Sequence, residues 1–152
     1  MTANMIDGTA IAASIQAELT AEVAELKEKH GIVPGLATVL VGDNPASHSY
    51  VRMKRKACAE AGIESLPHEL PGNASQEEVE ALVRRLNDDP SVHGILVQLP
   101  LPKHLDEERV LSLVSLTKDV DGFPPADTGR LAGQGRQPPC IPCTPHGAAV
   151  SL

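Results

Sequence analysis

Nine residues in the middle of the chain, Gly94-Ile95-Leu96-Val97-Gln98-Leu99-Pro100-Leu101-Pro102, constrain the fold more than any others. Ile95, Leu96 and Val97 form an unbroken apolar run between a glycine and a proline-rich exit. A run this short, without polar alternation, predicts a strand buried on both faces, in the manner of central parallel strands. Pro100 and Pro102 bar further ladder pairing, so the strand ends at Gln98. In open α/β sheets, ligands bind beyond the carboxyl ends of the strands. Gln98 is therefore either an amide at a ligand site or a side chain that satisfies loop backbone, and the run alone leaves both open.

The flanking segments alternate in type. Ala10, Ile11, Ile15, Leu19, Val23 and Leu26 recur at helical spacing after Asp7-Gly8, with Glu18, Glu22, Glu25 and Lys29 between them. That pattern predicts an amphipathic helix ending at Gly31. Pro34-Gly35 turns the chain into a buried strand, Leu36 to Val41. Asn44 as cap and Pro45 at the first position open a helix that runs to Ala61 and closes at Gly62. Ile63 to Leu70 reads as a weaker strand, which Pro67 pushes to the sheet edge. Ser75 and Glu78 form a capping box ahead of Val79, Leu82, Val83 and Leu86, and Asp88-Asp89-Pro90 stops that helix. Leu105 to Leu116 predicts one more, with Val110, Leu111, Leu113 and Val114 inward. This order of helices and strands implies right-handed crossovers, a mostly parallel sheet and a three-layer αβα domain.

Composition narrows the function. A chain of 152 residues is enough for one domain with a real core. Its formal net charge of −7 argues against nucleic acid, whose binding rests on basic surface. Tyr50 and Phe123 are the only Phe, Tyr or Trp residues, too few for base-stacking platforms. No apolar run approaches the roughly 20 residues of a membrane span. Met1 to Gly8 lacks the basic and apolar regions of a signal peptide, and three cysteines make no disulfide framework. A cytoplasmic protein with neither nucleic-acid nor membrane partners is expected.

Chemistry-bearing residues are few. Tyr50 and Lys54, four apart, share a face of the second helix near the sheet's ligand edge. Cys58 and Ala61 continue that face as small residues suited to packing, which would leave Lys54 partly desolvated. A lysine so placed can accept a proton or oppose a developing negative charge; the plain alternative is a Tyr/Lys pair at the surface. Lys118-Asp119-Val120-Asp121-Gly122-Phe123 has no periodicity and reads as a loop. Its two carboxylates point to opposite sides when extended, so at most one faces a cleft, and carboxylates in such loops often cap turns. Gly133-Gln134-Gly135, in the Thr128–Gly135 loop, lacks the context of a dinucleotide fingerprint. Cys140, Cys143 and His146 offer three zinc ligands without an evident fourth. The better reading there is a helix start, with Thr144 as cap and Pro145 at the first position.

Taken together, these blocks resemble the catalytic domain of the bifunctional methylenetetrahydrofolate dehydrogenase/methenyltetrahydrofolate cyclohydrolase family. The resemblance runs from Met5 to Leu152. It is carried by Val41-Gly42-Asp43-Asn44-Pro45-Ala46-Ser47 with Ser49-Tyr50-Val51-Arg52-Met53-Lys54, by the Gly94–Pro102 block, by Lys118-Asp119-Val120-Asp121-Gly122-Phe123, and by Pro142-Cys143-Thr144-Pro145. It implies an amino-acid-dehydrogenase-like N-terminal domain and interconversion of 5,10-methylene-, 5,10-methenyl- and 10-formyltetrahydrofolate, within one-carbon metabolism and purine biosynthesis. It further implies that Lys54 is the catalytic lysine, that Tyr50 stacks on the folate, that Gln98 orients the lysine, and that Asp121 pairs with the pterin's amino and ring N–H groups. Val97 and Leu99, beside Gln98, complete the implied substrate contacts.

Two departures accompany it. Pro124 and Asp127 stand where the family usually has histidine and asparagine. The family also continues into a nucleotide-binding domain for NADP, whereas this sequence stops at Leu152, inside its last predicted helix. A single catalytic domain over residues 1–152 is therefore expected, with no cofactor bound by this chain. Cyclohydrolase chemistry is the half expected to survive. An inactive folate-binding or interaction fragment stays open, as does a homodimer, since the family's dimers rest partly on the second domain.

Overall fold

A computed structural model describes residues 7–122. The readings made on Phe123, Pro124, Asp127, Gly133–Gly135, Cys140, Cys143, Thr144, Pro145 and His146 lie outside the described residues. Within them the chain forms α1 (Gly8–His30), β1 (Gly35–Val41), α2 (Pro45–Ala61), β2 (Glu64–Leu70), α3 (Gln76–Asp88), β3 (Gly94–Val97) and α4 (Glu107–Ser112).

Local chemistry sets most of these bounds. The Asp7 carboxylate caps α1 by accepting from the Thr9 and Ala10 amides. Asn44 does the same for Ala46 and Ser47 at the start of α2, where Pro45 has no amide to satisfy. Gly62 ends α2 at φ 79°, a left-handed conformation that a side chain would strain. Ser75 and Glu78 close a reciprocal capping box on α3.

The strands are parallel in the order β2-β1-β3. Pro67 stands on the edge strand, as its missing amide requires. Glu64 donates to the Pro34 carbonyl and Leu70 accepts from Gly42, so the even positions of β2 bond to β1 and the Pro67 nitrogen faces away. β3 is buried throughout and paired on both sides, as the apolar run predicts: to β1 and, by a parallel bridge at Ile95–Asp119 with the Ile95 amide donating to the Lys118 carbonyl, to the segment beyond it. One expectation needs correction. The helix read over Leu105–Leu116 is regular only from Glu107 to Ser112. Asn87 explains its early end, because its side-chain amide donates to the Leu113 carbonyl at 2.8 Å and accepts from the Ser115 amide at 3.0 Å. Those backbone groups are satisfied from α3 rather than by another helical turn.

The core lies on one side of the sheet. Ala37, Val39 and Val41 of β1 and Ile95 and Val97 of β3 pack with Val79, Val83 and Leu86 of α3 and Val110 of α4. The opposite side faces α2. α1 departs from its amphipathic reading: it lies against α2, Gln16 bonding Glu60 at 3.0 Å, and of its apolar stripe only Val23 is buried, with Ile15 and Leu19 exposed.

One ionic cluster joins α3 to α4. The Glu80 side chain, 4% exposed, meets Arg84 Nη2 at 2.8 Å and Arg109 Nε at 2.6 Å, while Gln76 Nε2 donates to it at 3.0 Å. The Gln76 hydrogen bond, with help from Arg84 and Arg109, holds the Glu80 carboxyl below its usual range against the effect of burial. A depressed carboxylate adds stability that is present above the ordinary carboxylate pKa and lost as pH falls through the folded value. Glu80→Gln should therefore lower Tm at pH 7, with the gap to wild type closing in acid; a gap independent of pH would show that the cluster is not acting through charge. Leu86→Ala, at a fully packed site, should cost about 3 kcal/mol in urea unfolding.

Candidate active site

Strand alternation selects which side chains face α2. Since Ile95 and Val97 enter the core, Gly94, Leu96 and Gln98 turn to the other side. Helix periodicity does the same from above, bringing Lys54, Cys58 and Ala61 onto the face of α2 nearest the sheet. The result is a hollow of about 580 Å³ walled by Leu36, Ala57, Cys58, Leu96 and Val120, with Lys54, Asp121 and His93 as ionisable groups. Pro34, Gly35 and Gly94 set it along the starts of β1 and β3, whereas the sequence suggested a site beyond their carboxyl ends. Gln98 touches the hollow through Lys54, not as a wall.

Lys54 Nζ donates to Gln98 Oε1 at 3.2 Å, and Gln98 Nε2 donates to the Leu99 carbonyl at 2.8 Å. The reading of Gln98 as a side chain that satisfies loop backbone therefore holds. One end of the amide satisfies the loop, and doing so aims the oxygen at the lysine. Asp121 is part-buried in the hollow; burial pushes its carboxyl above the usual range, the nearby Lys54 charge opposes that, and Asp119 adds to it. Asp119 points elsewhere, its carboxylate accepting from the Asp121 amide at 3.1 Å and the Gly122 amide at 2.8 Å. One carboxylate caps and the other faces the hollow, as an extended pair requires.

The remaining candidates are placed less directly. Tyr50 lies one turn before Lys54, is 56% exposed, and is not a wall of the hollow. Val97 sends its side chain into the core at 3% exposure, so only its main chain can meet a ligand from this side. Leu99 is partly buried and also packs on the core. The walls Leu36, Leu96 and Val120 were not picked out in the sequence; for Leu96, the period-two signal from Gln98 was available. Gly94 was read as a strand boundary, yet a Cβ there would stand 2.7 Å from Val120 Cγ1, so glycine is what lets the strand lie under Val120. Burial raises the Cys58 thiol's pKa, which makes it a neutral wall rather than a nucleophile. A second, open groove of about 700 Å³ between β2 and α3 includes His68 and Arg85 but none of the predicted residues. Among the described residues, no cluster of three or more His, Cys, Asp or Glu could hold a metal, and no helix is long and apolar enough to cross a membrane.

Residues 6–121 match the family described as tetrahydrofolate dehydrogenase/cyclohydrolase, catalytic domain. The chain belongs to this family. Among its relatives, bifunctional protein FolD 2 of Arabidopsis thaliana is 55% identical over 151 residues, which are 99% of this chain and 50% of the relative. Bifunctional protein FolD of Geobacillus thermodenitrificans is 55% identical over 152 residues, 100% of this chain and 52% of the relative. The crystal structure of FolD from Campylobacter jejuni matches with a TM-score of 0.90 at 47% identity, covering 98% of this chain and 52% of that one. The Trypanosoma brucei enzyme, crystallised with NADP cofactor and inhibitor, matches with a TM-score of 0.92 at 43% identity, covering 99% and 51%. The chain thus spans about half the length of these tetrahydrofolate dehydrogenase/cyclohydrolase relatives.

The raised Asp121 carboxyl has a measurable consequence in this catalytic domain. A carboxyl whose folded pKa is raised favours folding while protonated, and that contribution is lost as pH rises through the folded value. Asp121→Asn should therefore raise Tm by a few degrees at pH 7 and leave it unchanged well below the ordinary carboxylate pKa. A lower Tm at pH 7 would mean that the Lys54 attraction outweighs burial.

Proposed function

We propose that this chain binds a reduced folate in the hollow beside α2 and β3 and hydrolyses 5,10-methenyltetrahydrofolate to the 10-formyl form. The observation that carries the reading is the Lys54–Gln98 hydrogen bond beside a half-buried Asp121. A reduced pterin offers an amino group and a ring N–H along one edge, and a carboxylate is the acceptor that matches two such donors. Asp121 is costly to leave ionised without partners, so donors arriving from a ligand relieve what burial imposes. Lys54 is then the group beside the one-carbon bridge. Hydrolysis adds water to a cationic amidinium carbon, and the addition and ring opening each need a proton moved at a fixed place. Gln98 holds the lysine there through Oε1, itself fixed by the Leu99 carbonyl. Tyr50, exposed one turn away, supplies an aromatic face for a flat heterocycle, while Val97 and Leu99 contribute backbone and apolar edge rather than chemistry. Cytoplasmic one-carbon metabolism and purine biosynthesis follow from this reading.

The Trypanosoma brucei relative holds NADP, and the described residues of this chain do not fit such a dinucleotide. A dinucleotide phosphate wants free amides at a helix N-terminus after a strand. At the starts of α2, α3 and α4, which follow strands, the Asn44, Ser75 and Asp106 side chains already accept from first-turn amides, and Pro45 has none. We therefore assign no dehydrogenase step to these residues; residues 1–152 act as a single catalytic domain.

Methenyltetrahydrofolate hydrolysis, followed by loss of its near-ultraviolet absorbance, tests the assignment. Lys54→Ala should lower the rate by about a hundredfold or more, to background, while folate binding falls much less. Equal rates for the two proteins would reject Lys54 as the catalytic group. Binding without turnover in wild type would leave a folate-binding module in place of an enzyme.

A further inference from the structure

Asp121 stands on a segment that has no regular structure of its own, yet the residues before it are tied down on two sides. Lys118 Nζ donates to the Leu86 carbonyl at 3.1 Å and to the Asp89 carbonyl at 2.7 Å, at the C-terminal end of α3. A cation is favoured there by the helix dipole and by carbonyls that lack helical partners. The Lys118 carbonyl in turn accepts from the Ile95 amide at 2.7 Å. One residue later the Asp119 carboxylate takes both following amides, and Gly122 turns the chain at φ 69°. Without those acceptors the Asp121 and Gly122 amides would seek water, and a carboxyl that resists burial would follow them out.

We propose that Asp119 is a positioning residue that holds Asp121 in the hollow, with Lys118 anchoring the segment to α3. For its effect on ligand binding the proposal rests on the reading of Asp121 given above; for the geometry it does not. The groups facing Asp121 are Lys54 from α2 and Asp119 from its own segment, with His93 on the far side of the same hollow. Asp119 acts on Asp121 in two separable ways, as a like charge and as a clamp on its backbone.

Carbon-13 labelling of the aspartate carboxyls in the full 152-residue chain allows Asp121 to be titrated by NMR. Asp119→Asn removes the charge and keeps one acceptor oxygen, whereas Asp119→Ala removes both acceptors. The Asp121 titration should move down in Asp119→Asn and further down in Asp119→Ala, where the carboxyl reaches water. An equal shift in both would reduce Asp119 to a charge and overturn the proposal. Should Asp119→Ala not fold, Asp119→Ser, whose hydroxyl is a weaker acceptor, replaces it under the same criterion. Calorimetry with 5-formyltetrahydrofolate gives the second readout. Asp119→Ala should weaken binding by about tenfold in wild type and by nothing further in Asp121→Asn, because a clamp has no effect once its charge is gone. Additive losses would also overturn the proposal. Unchanged binding in Asp121→Asn, or none in wild type, would instead reject the folate reading, and the titration would still decide the role of Asp119.

Discussion

The alternation of β3 ties the packing of this domain to its site. Ile95 and Val97 fill the core under α3 and α4, and the same backbone then has no choice but to turn Leu96 and Gln98 toward α2. A slip of one residue against β1 would send Gln98 into the core and Val97 out of it. Burying Ile95 and Val97 at 1% and 3% exposure makes that slip expensive, so the hydrophobic effect fixes the orientation of an amide on the opposite face. The Glu80 cluster acts in support. It holds α4 onto α3, and those two helices are what β3 packs against.

Around that amide, opposing electrostatic effects are set against one another at short range. Burial favours a protonated Asp121, and Lys54 favours an ionised one, with burial the stronger. A site balanced in this way is less stable than an apolar one of the same shape, and the balance is where ligand donors gain most. The walls reinforce this. Leu36, Leu96 and Val120 supply no competing hydrogen bonds, and the Cys58 thiol stays neutral. The polar groups that line it are the Asp121 carboxyl, the His93 ring and Lys54, whose Nζ is held by Gln98 Oε1.

Much of this was legible in the sequence because local signals and global packing agree. Asn44-Pro45, Gly62 and the Ser75/Glu78 box mark helix ends whose chemistry is complete within a few residues, and each end falls where the residues predict. Lys54 and Gln98 could be nominated from their positions on a helix face and at a strand end, whereas the loop left Asp119 and Asp121 both open and only the family resemblance chose Asp121. What was not legible depends on partners distant in sequence. The short α4 results from Asn87, some 26 residues earlier, taking the Leu113 carbonyl. The exposed stripe of α1 has the periodicity of a core helix, and nothing in that periodicity reveals that it lies on α2 instead of on the sheet. Val97 was grouped with Gln98 by adjacency, although adjacency in a strand means opposite faces.

The same reasoning bears on the proposed choice of a donor-rich heterocycle over a phosphate. Anion sites at helix starts need amides that the protein leaves unsatisfied. Here Asn44 satisfies two of them, and Pro45 removes a third. The positive end of α2 is therefore spent on closing its own first turn, and the helix contributes to the hollow through its side, by Lys54, not through its end. On the proposed reading, Lys54 held by Gln98 and the carboxyl raised by burial would meet a ligand that brings N–H groups and a carbon cation. A polyanion placed there would meet the Asp121 carboxyl without the backbone amides needed to offset it.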